Sequence, residues 1–539
     1  MDEWFPPKRC HEAVYPLDFL PPEAAAVYRN SNNMALLEPS SSLFTPAAFQ
    51  GEWQSQDVIV VGDEKSSSYV LIGAVTAFRS LTYFLLRKSG RLQEILMRQP
   101  HIAPGEKPEK TIVLKGSDWR VLLREYARAA AAEMGVRPVS ADRNLTGYCS
   151  WYYYYAHVSE QDFLENLAAA DGLPADSFSP EIFQIDDGYQ TFQGDWLEQN
   201  ALWPVPLREV TAKIRARGKT AGIWLMPMLA STASRTFREH PDWFVKTTSG
   251  TPLIFAGWSP EPDNHWVSLD ATIPAVREHI RHFMTSLWET GFRYFKMDGL
   301  AFGLPDGVFA DASATPVSAF RLAMKTIREA VPDAVLLGCG APCMACLGYI
   351  DLCRVSNDTS RCWNGAAPET MRLQNSDNQD VGIRSAWHGT CANFWKSDIW
   401  FRADPDIVMA RADNAFYTIG EARISAAAAI LTGIALTSDH FGRIGPDRLA
   451  ILERAAKFRL RHAMPQQWRP DQWPHIFTGE CGGRKAALLV NDTPSEIRYV
   501  FSEYGLPEEL DEVLIGLGRV RSELILPAHD AAFLTTPHV

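Results

Sequence analysis

The sequence predicts an α/β chain built around a closed (β/α)8 barrel, with a β-sandwich before it and a smaller one after it. Three observations predict this architecture. Between residues 141 and 470, apolar strand patterns alternate with amphipathic helical ones, and eight strands can be counted. Before that region the chain consists of short apolar runs broken by Ser, Pro and Gly clusters, which is how antiparallel strands read. After it, short strands separated by turn residues return. The expected domains are 1–140, 141–470 and 471–539.

In the first region, Asp57 to Val61 and Ser68 to Val75 read as strands. Ser117 is read as the cap of a helix over Asp118 to Met134, closed by Gly135, and a polar linker follows at residues 137–144. The barrel strands are read at Thr146 to Trp151, Ile182 to Asp186, Thr220 to Leu225 and Tyr294 to Asp298. They continue at Val335 to Gly338, Leu352 to Ser356, Ile399 to Arg402 and Ala435 to Thr437. Between them lie helices at Leu207 to Arg217 and at Pro274 to Thr290, the second with Val276, Ile280, Phe283 and Leu287 on one face. A doubly wound open sheet is the alternative, disfavoured because no glycine-rich phosphate turn follows any strand. In the tail, Ala486 to Val490, Val513 to Ile515 and Ala531 to Leu534 read as strands.

A formal charge of −12 over 539 residues lacks the cationic excess that a nucleic-acid groove needs. Neutral or cationic small partners fit better, with no nucleic acid and no membrane, and with a homo-oligomer left open. The start MDEWFPPKRC has neither a basic nor an apolar leader region, and Ile424 to Thr437 is too short to span a bilayer, so a cytoplasmic location is expected. Nine cysteines suit free thiols better than a disulfide framework. Cys339, Cys343, Cys346, Cys353 and Cys362 cluster in sequence, but only Cys343 and Cys346 have CxxC spacing, so buried thiols are preferred over a metal site.

An active site in such a barrel forms at the carboxyl ends of the strands, and here those ends carry polar and aromatic residues. Strand one ends in Trp151 and Tyr152, strand two in Asp186 and Asp187, and strand three carries Trp224. Strand four ends in Lys296 and Asp298, strand five in Cys339, and strand six in Arg354 with Asp358 four residues on. Aromatic faces suit the C–H side of a sugar, and the charged groups suit its hydroxyls. Lys296 and Asp298 alternate onto one strand face, where the cation favours the ionised carboxylate that a nucleophile requires. Asp358 is then the acid. A retaining glycosidase holds two such groups about 5 to 5.5 Å apart, and an inverting one about 6.5 to 9.5 Å. A divalent cation on Asp186, Asp187 and Asp298 is the alternative, against which Lys296 competes.

These residues lie in motifs that resemble the α-galactosidases of glycoside hydrolase family thirty-six. The motifs are GYCSWYYYY from Gly147, FQIDDGYQ from Phe183, GDWL from Gly194, AGIWLMP from Ala221 and HPDWFVK from His240. They continue with YFKMDGL from Tyr294, LGCGAP from Leu337, RVSNDTSRCW from Arg354 and IWFRADPD from Ile399. The resemblance implies a TIM barrel between two β-sandwiches, a retaining exo-acting mechanism with Asp298 as nucleophile and Asp358 as acid/base, and no metal or organic cofactor. By the same matching, Trp151, Tyr152, Asp186, Asp187, Trp224, Lys296, Cys339 and Arg354 line the pocket for the terminal sugar. Two departures stand out. The family's NNWQSW-like loop, which sends an indole into the sugar site, has its best match in NNMALL at Asn32 to Leu37, and GWCSW is GYCSW, with Tyr148 facing away from the sugar. The first departure opens the choice of sugar to N-acetylgalactosamine, and a raffinose-synthase-like transglycosylase or a non-catalytic sugar-binding protein are further alternatives.

Overall fold

A computed structural model describes residues 10–17, 25–29, 51–63, 65–89, 91–137, 143–256, 265–365, 381–466 and 473–537. The segment Asn32 to Leu37 lies outside the described residues. The amino-terminal runs pair as two antiparallel four-stranded sheets, one containing Val58–Asp63 and Ser68–Ala74, the other Tyr83–Ser89 and Arg91–Pro100. Alternate residues of these strands meet in one core: Ile59, Val61, Val70 and Ile72 from one sheet, Phe84, Leu86, Ile95 and Met97 from the other.

Helix α1 (Trp119–Met134) joins this sandwich to the barrel. Its cap is Asp118 rather than the expected Ser117: the Asp118 carboxylate accepts from the Arg120 N–H, while Gly135 closes the helix in the left-handed conformation. The Tyr126 hydroxyl donates to the Ala74 carbonyl at 2.8 Å on the sandwich side. On the barrel side the Trp400 indole donates to the Ala127 carbonyl at 2.9 Å.

The barrel strands are β1 (Leu145–Cys149), β2 (Ile182–Ile185), β3 (Thr220–Leu225), β4 (Tyr294–Met297), β5 (Val335–Gly338), β6 (Leu352–Arg354), β7 (Arg402–Asp404), β8 (Ile407–Val408) and β9 (Ile434–Thr437). All neighbouring pairs are parallel, in the order β7, β6, β5, β4, β3, β2, β1, β9, β8. The two ends of that order, β7 and β8, are consecutive in sequence. They are two halves of one barrel position, interrupted at Pro405 and Asp406, and through them the eight-position barrel closes. Helices α2 (Leu207–Arg215), two residues shorter than expected, and α3 (Pro274–Thr290) form part of the outer layer, α3 burying Val276, Ile280, Phe283 and Leu287 as its pattern predicts. Tyr148 points to that outer layer, packed against Phe163, Phe183 and Phe441.

Two expected strands are displaced. The seventh runs over Arg402–Asp404, not Ile399 to Arg402. Trp400 is drawn into a turn that packs it against Tyr126 and Trp395, with Asp398 in the left-handed region at φ 63°. In the tail, residues 513–515 form a turn because the buried Glu512 carboxylate collects the N–H groups of Leu514, Ile515, Gly516 and Leu517. The strand there is Glu509–Glu512, within a six-stranded sheet that also holds Arg484–Asn491 and Asp530–Thr535. Arg461–Pro465 already belongs to that sheet. A two-stranded sheet, Ile497–Val500 with Glu523–Leu526, packs on it through Tyr499, Leu510 and Leu534.

Candidate active site

Asp298 follows β4 directly, and its backbone is clamped between neighbouring strands. Its N–H donates to the Leu225 carbonyl at 2.8 Å, while the Cys339 N–H holds the preceding Met297 carbonyl at 2.8 Å. The carboxylate accepts from the Trp224 indole at 3.1 Å and from the Gly299 N–H at 2.7 Å. Burial alone raises the pKa of such a group. The Lys296 charge, the Trp224 and Cys339 side-chain hydrogen bonds and the Gly299 amide together reverse that and hold Asp298 below the usual carboxylate range. Gly299 makes the turn after the acid at φ 58°, where an L side chain is strained.

Lys296 acts on Asp298 through space only. Its own ion pair is with Asp186, Nζ to Oδ2 at 2.9 Å, and both side chains are buried. The expected effect of the lysine charge on Asp298 is present without a direct ion pair between them. The Asp186 Oδ2 also accepts from Gln184 at 2.6 Å and from the Cys149 thiol at 3.2 Å, so this carboxylate is committed to protein partners. Asp187 is the freer member of the pair. Its carboxylate accepts from Gln190, and burial pushes it up to about 7, opposed by that hydrogen bond and reinforced by the Asp186 and Asp298 charges. Gly188 carries the chain away at φ 114°, and a Cβ there would stand 2.6 Å from the Ala156 carbonyl oxygen. Only glycine therefore lets the loop after β2 lie against the loop after β1.

Asp187 makes a testable link between pH and stability. A folded-state pKa above the unfolded value means the folded protein binds that proton more tightly. Its contribution is thus complete below about pH 4 and is lost as pH rises toward about 7. Asp187→Asn keeps an acceptor for Gln190 and removes the charge. The variant should be more stable than wild type at pH 8 by up to ~4 kcal/mol, seen as a higher unfolding temperature, and show no such gain at pH 4. Thermal unfolding at the two pH values checks this, and a gain independent of pH would contradict it.

Across the barrel, β6 ends in Arg354, 2% exposed. One guanidinium nitrogen lies 2.5 Å from Asp358 and the other 2.8 Å from Asp406. Asp358 is the more open partner, with a third of its side chain exposed. Its carbonyl is pinned by the Gly382 N–H at 3.0 Å. Tyr152 lies in a short helical turn over Trp151–Tyr154, not on the strand, and its hydroxyl donates to Asp406 at 2.5 Å. Trp151 sits edge-on to Tyr155, 5.3 Å between ring centres. Cys339 is buried and lies in the electrostatic field of both Asp298 and Asp358.

The structure thus brings all ten expected residues to the carboxyl ends of the strands and adds two that sequence reasoning missed, Asp404 and Asp406. The signal was the acid, proline, acid run in RADPD. With the strand expected to end at Arg402, both acids fall beyond it and enter only as part of the IWFRADPD motif. The expected free thiols are present: all nine cysteines are unbridged, with Cys343 and Cys353 buried 3.9 Å apart, sulfur to sulfur.

A family model described as Melibiase matches residues 154–300. Among curated proteins, "Alpha-galactosidase 2" of Pediococcus pentosaceus is 26% identical over 126 residues, 22% of this chain and 16% of that protein. The aligned stretch therefore spans well under a fifth of that relative's length. Among solved structures, the α-galactosidase from Thermus thermophilus, in complex with p-nitrophenyl α-D-galactopyranoside, superimposes with a TM-score of 0.69 at 25% identity. It covers 88% of this chain and 92% of its own. A family thirty-six α-galactosidase from Geobacillus stearothermophilus shares the fold, with a TM-score of 0.58 at 12% identity over 98% of this chain and 76% of that one. With its barrel set between two sandwiches and its strand ends carrying this set of acids and aromatics, the chain resembles the α-galactosidases of glycoside hydrolase family thirty-six.

Proposed function

We propose that the protein is a retaining, exo-acting α-galactosidase that releases terminal α-linked galactose from small glycosides by double displacement. The observation that carries the reading is the division of labour between two carboxylates around Cys339. Asp298 is held ionised by the Lys296 field, the Trp224 indole and the Gly299 amide, whereas Asp358 pairs with Arg354 and keeps a third of its side chain exposed. The Thermus relative, captured with p-nitrophenyl α-D-galactopyranoside and with stachyose, supports the choice of substrate.

In this reading Asp298 attacks the anomeric carbon while protonated Asp358 gives its proton to the glycosidic oxygen. The bond to the leaving group breaks, and a galactosyl ester of Asp298 forms. Asp358, now a carboxylate, takes a proton from water as that water attacks the anomeric carbon. The ester bond breaks, and galactose leaves with its original configuration. Trp151, Tyr152 and Trp224 wall the sugar, and Asp187, Cys339 and Arg354 face its hydroxyls, with Asp186 steadying Lys296. The partner is a small carbohydrate. A cytoplasmic location goes with the reading, supported by nine cysteines that are all unbridged.

Asp358→Ala separates the roles. Its kcat/KM on a natural oligosaccharide should fall by about 10²- to 10⁴-fold, while an activated dinitrophenyl α-galactoside, whose leaving group needs no proton, loses far less. Equal losses on both would contradict the acid role. Failure of the wild type to release galactose from any α-galactoside would overturn the proposal, and preferential release of N-acetylgalactosamine would change the sugar.

A further inference from the structure

We infer that Phe416 is the platform of a leaving-group subsite, a ring on which the sugar unit attached to the galactosyl residue stacks. This rests on the glycosidase reading above and adds where the rest of the substrate lies. Phe416 is 63% exposed, the most exposed large hydrophobic side chain among the described residues. A single exposed phenylalanine means little by itself. Its attachments are what give it meaning.

The Phe416 N–H donates to the Arg361 carbonyl at 2.8 Å, and Phe416 forms a parallel bridge with Cys362. Arg361 is three residues beyond Asp358, so the ring is tied through the main chain to the loop that carries the acid. Arg361 also links the ring to the sugar pocket, its guanidinium 5.8 Å from the centres of both Phe416 and Tyr155. Tyr155 in turn meets Trp151 and Tyr152 edge-on, at 5.3 and 6.4 Å. A continuous row of rings and one cation therefore runs from the floor of the pocket to its rim.

Direction follows from chemistry. An acid must reach the glycosidic oxygen, so the leaving group departs over the Asp358 loop, which is the loop Phe416 is bonded to. The supporting segment is anchored. Asp413 accepts from the Tyr153 hydroxyl at 2.6 Å, and the Asn414 side-chain oxygen accepts from Arg361. Tyr417 is buried, and exposure alternates so that Asn414 and Phe416 face outward together. An apolar ring face beside a polar amide, held still on a rigid segment, suits the C–H face and hydroxyls of a pyranose or furanose ring.

The experiment compares raffinose, whose leaving group is a disaccharide, with α-galactosyl fluoride, whose leaving group cannot reach the ring. Phe416→Ala should lower kcat/KM for raffinose by roughly tenfold and leave the fluoride unchanged, and Phe416→Trp should restore the raffinose value. Because the side chain is exposed, folding is not at stake, and an unchanged unfolding temperature is expected. Equal effects on both substrates, or none on raffinose, would overturn this subsite while leaving the hydrolase reading intact. A wild type inactive on both would overturn the hydrolase reading and this inference with it.

Discussion

Asp298→Gly is expected to lower kcat on every α-galactoside by about 10⁴-fold or more, the largest catalytic effect of any substitution in the chain. The expectation follows from the number of interactions that keep this carboxylate charged in a site where burial opposes charge. The Lys296 field, the Trp224 indole, the Cys339 thiol and the Gly299 amide all act on it. Such convergence has little structural purpose, because the neighbours keep other partners when the acid is removed. Lys296 retains Asp186 at 2.9 Å, and the Trp224 ring keeps its edge-on contact with Trp196 at 5.9 Å. The variant should therefore fold. The space vacated by the carboxylate opens toward the anomeric carbon, so azide can enter and attack from the side Asp298 occupied. With a dinitrophenyl substrate the product should be β-galactosyl azide, of inverted configuration. Recovered turnover together with that product assigns the nucleophile. Residual activity above a few per cent of wild type without azide would remove Asp298 from the role.

How much of this was legible in the sequence differs between levels. Strands β2 to β6 could be read because they are largely buried, β2 to β5 with β-branched or aromatic residues as well, and α3 because Pro274 opens it and Gly291 closes it. The seventh barrel position was misread because Ile399, Trp400 and Phe401 have the most strand-like composition of their region. Their apolar surface instead anchors a turn against α1, a tertiary demand that local propensity does not record. That shift concealed Asp404 and Asp406. Pairing across the barrel was equally hidden: Lys296 and Asp298 share a strand face as alternation predicts, but only the fold brings Asp186 from β2 within ion-pair distance of the lysine. Glu512 illustrates the same point in the tail, where one buried carboxylate converts a strand-like sequence into a turn by gathering four backbone N–H groups.

Asp406 carries the second large effect. It is 3% exposed and sits at φ 77°, behind Pro405, where the seventh barrel position breaks. From there it accepts from the Tyr152 hydroxyl at 2.5 Å, from the Thr359 N–H at 2.8 Å and from Arg354 at 2.8 Å. One carboxylate thus fixes a pocket wall, the loop residue after Asp358 and the cation beside Asp358. Burial pushes its pKa up and Arg354 pulls it down, so the group depends on that arginine for its charge. Asp406→Ala leaves Arg354, Tyr152 and Thr359 each short of a buried partner and should cost about 3–5 kcal/mol of stability, read as a fall in unfolding temperature. Asp406→Asn is the more informative change, because it keeps the shape and an acceptor while removing the charge. With that negative charge gone, Arg354 acts on Asp358 with one competitor fewer and favours the ionised form of that acid, the form that cannot donate a proton. The expected result is a loss of about tenfold to a hundredfold in kcat/KM on oligosaccharides, a much smaller loss on α-galactosyl fluoride, and a descending limb of the pH profile displaced to lower pH. Phe416→Ala should leave that limb in place, which distinguishes a lost binding surface from a disturbed acid. An Asp406→Asn profile that superimposes on wild type would show that the carboxylate merely fills space between β7 and β8.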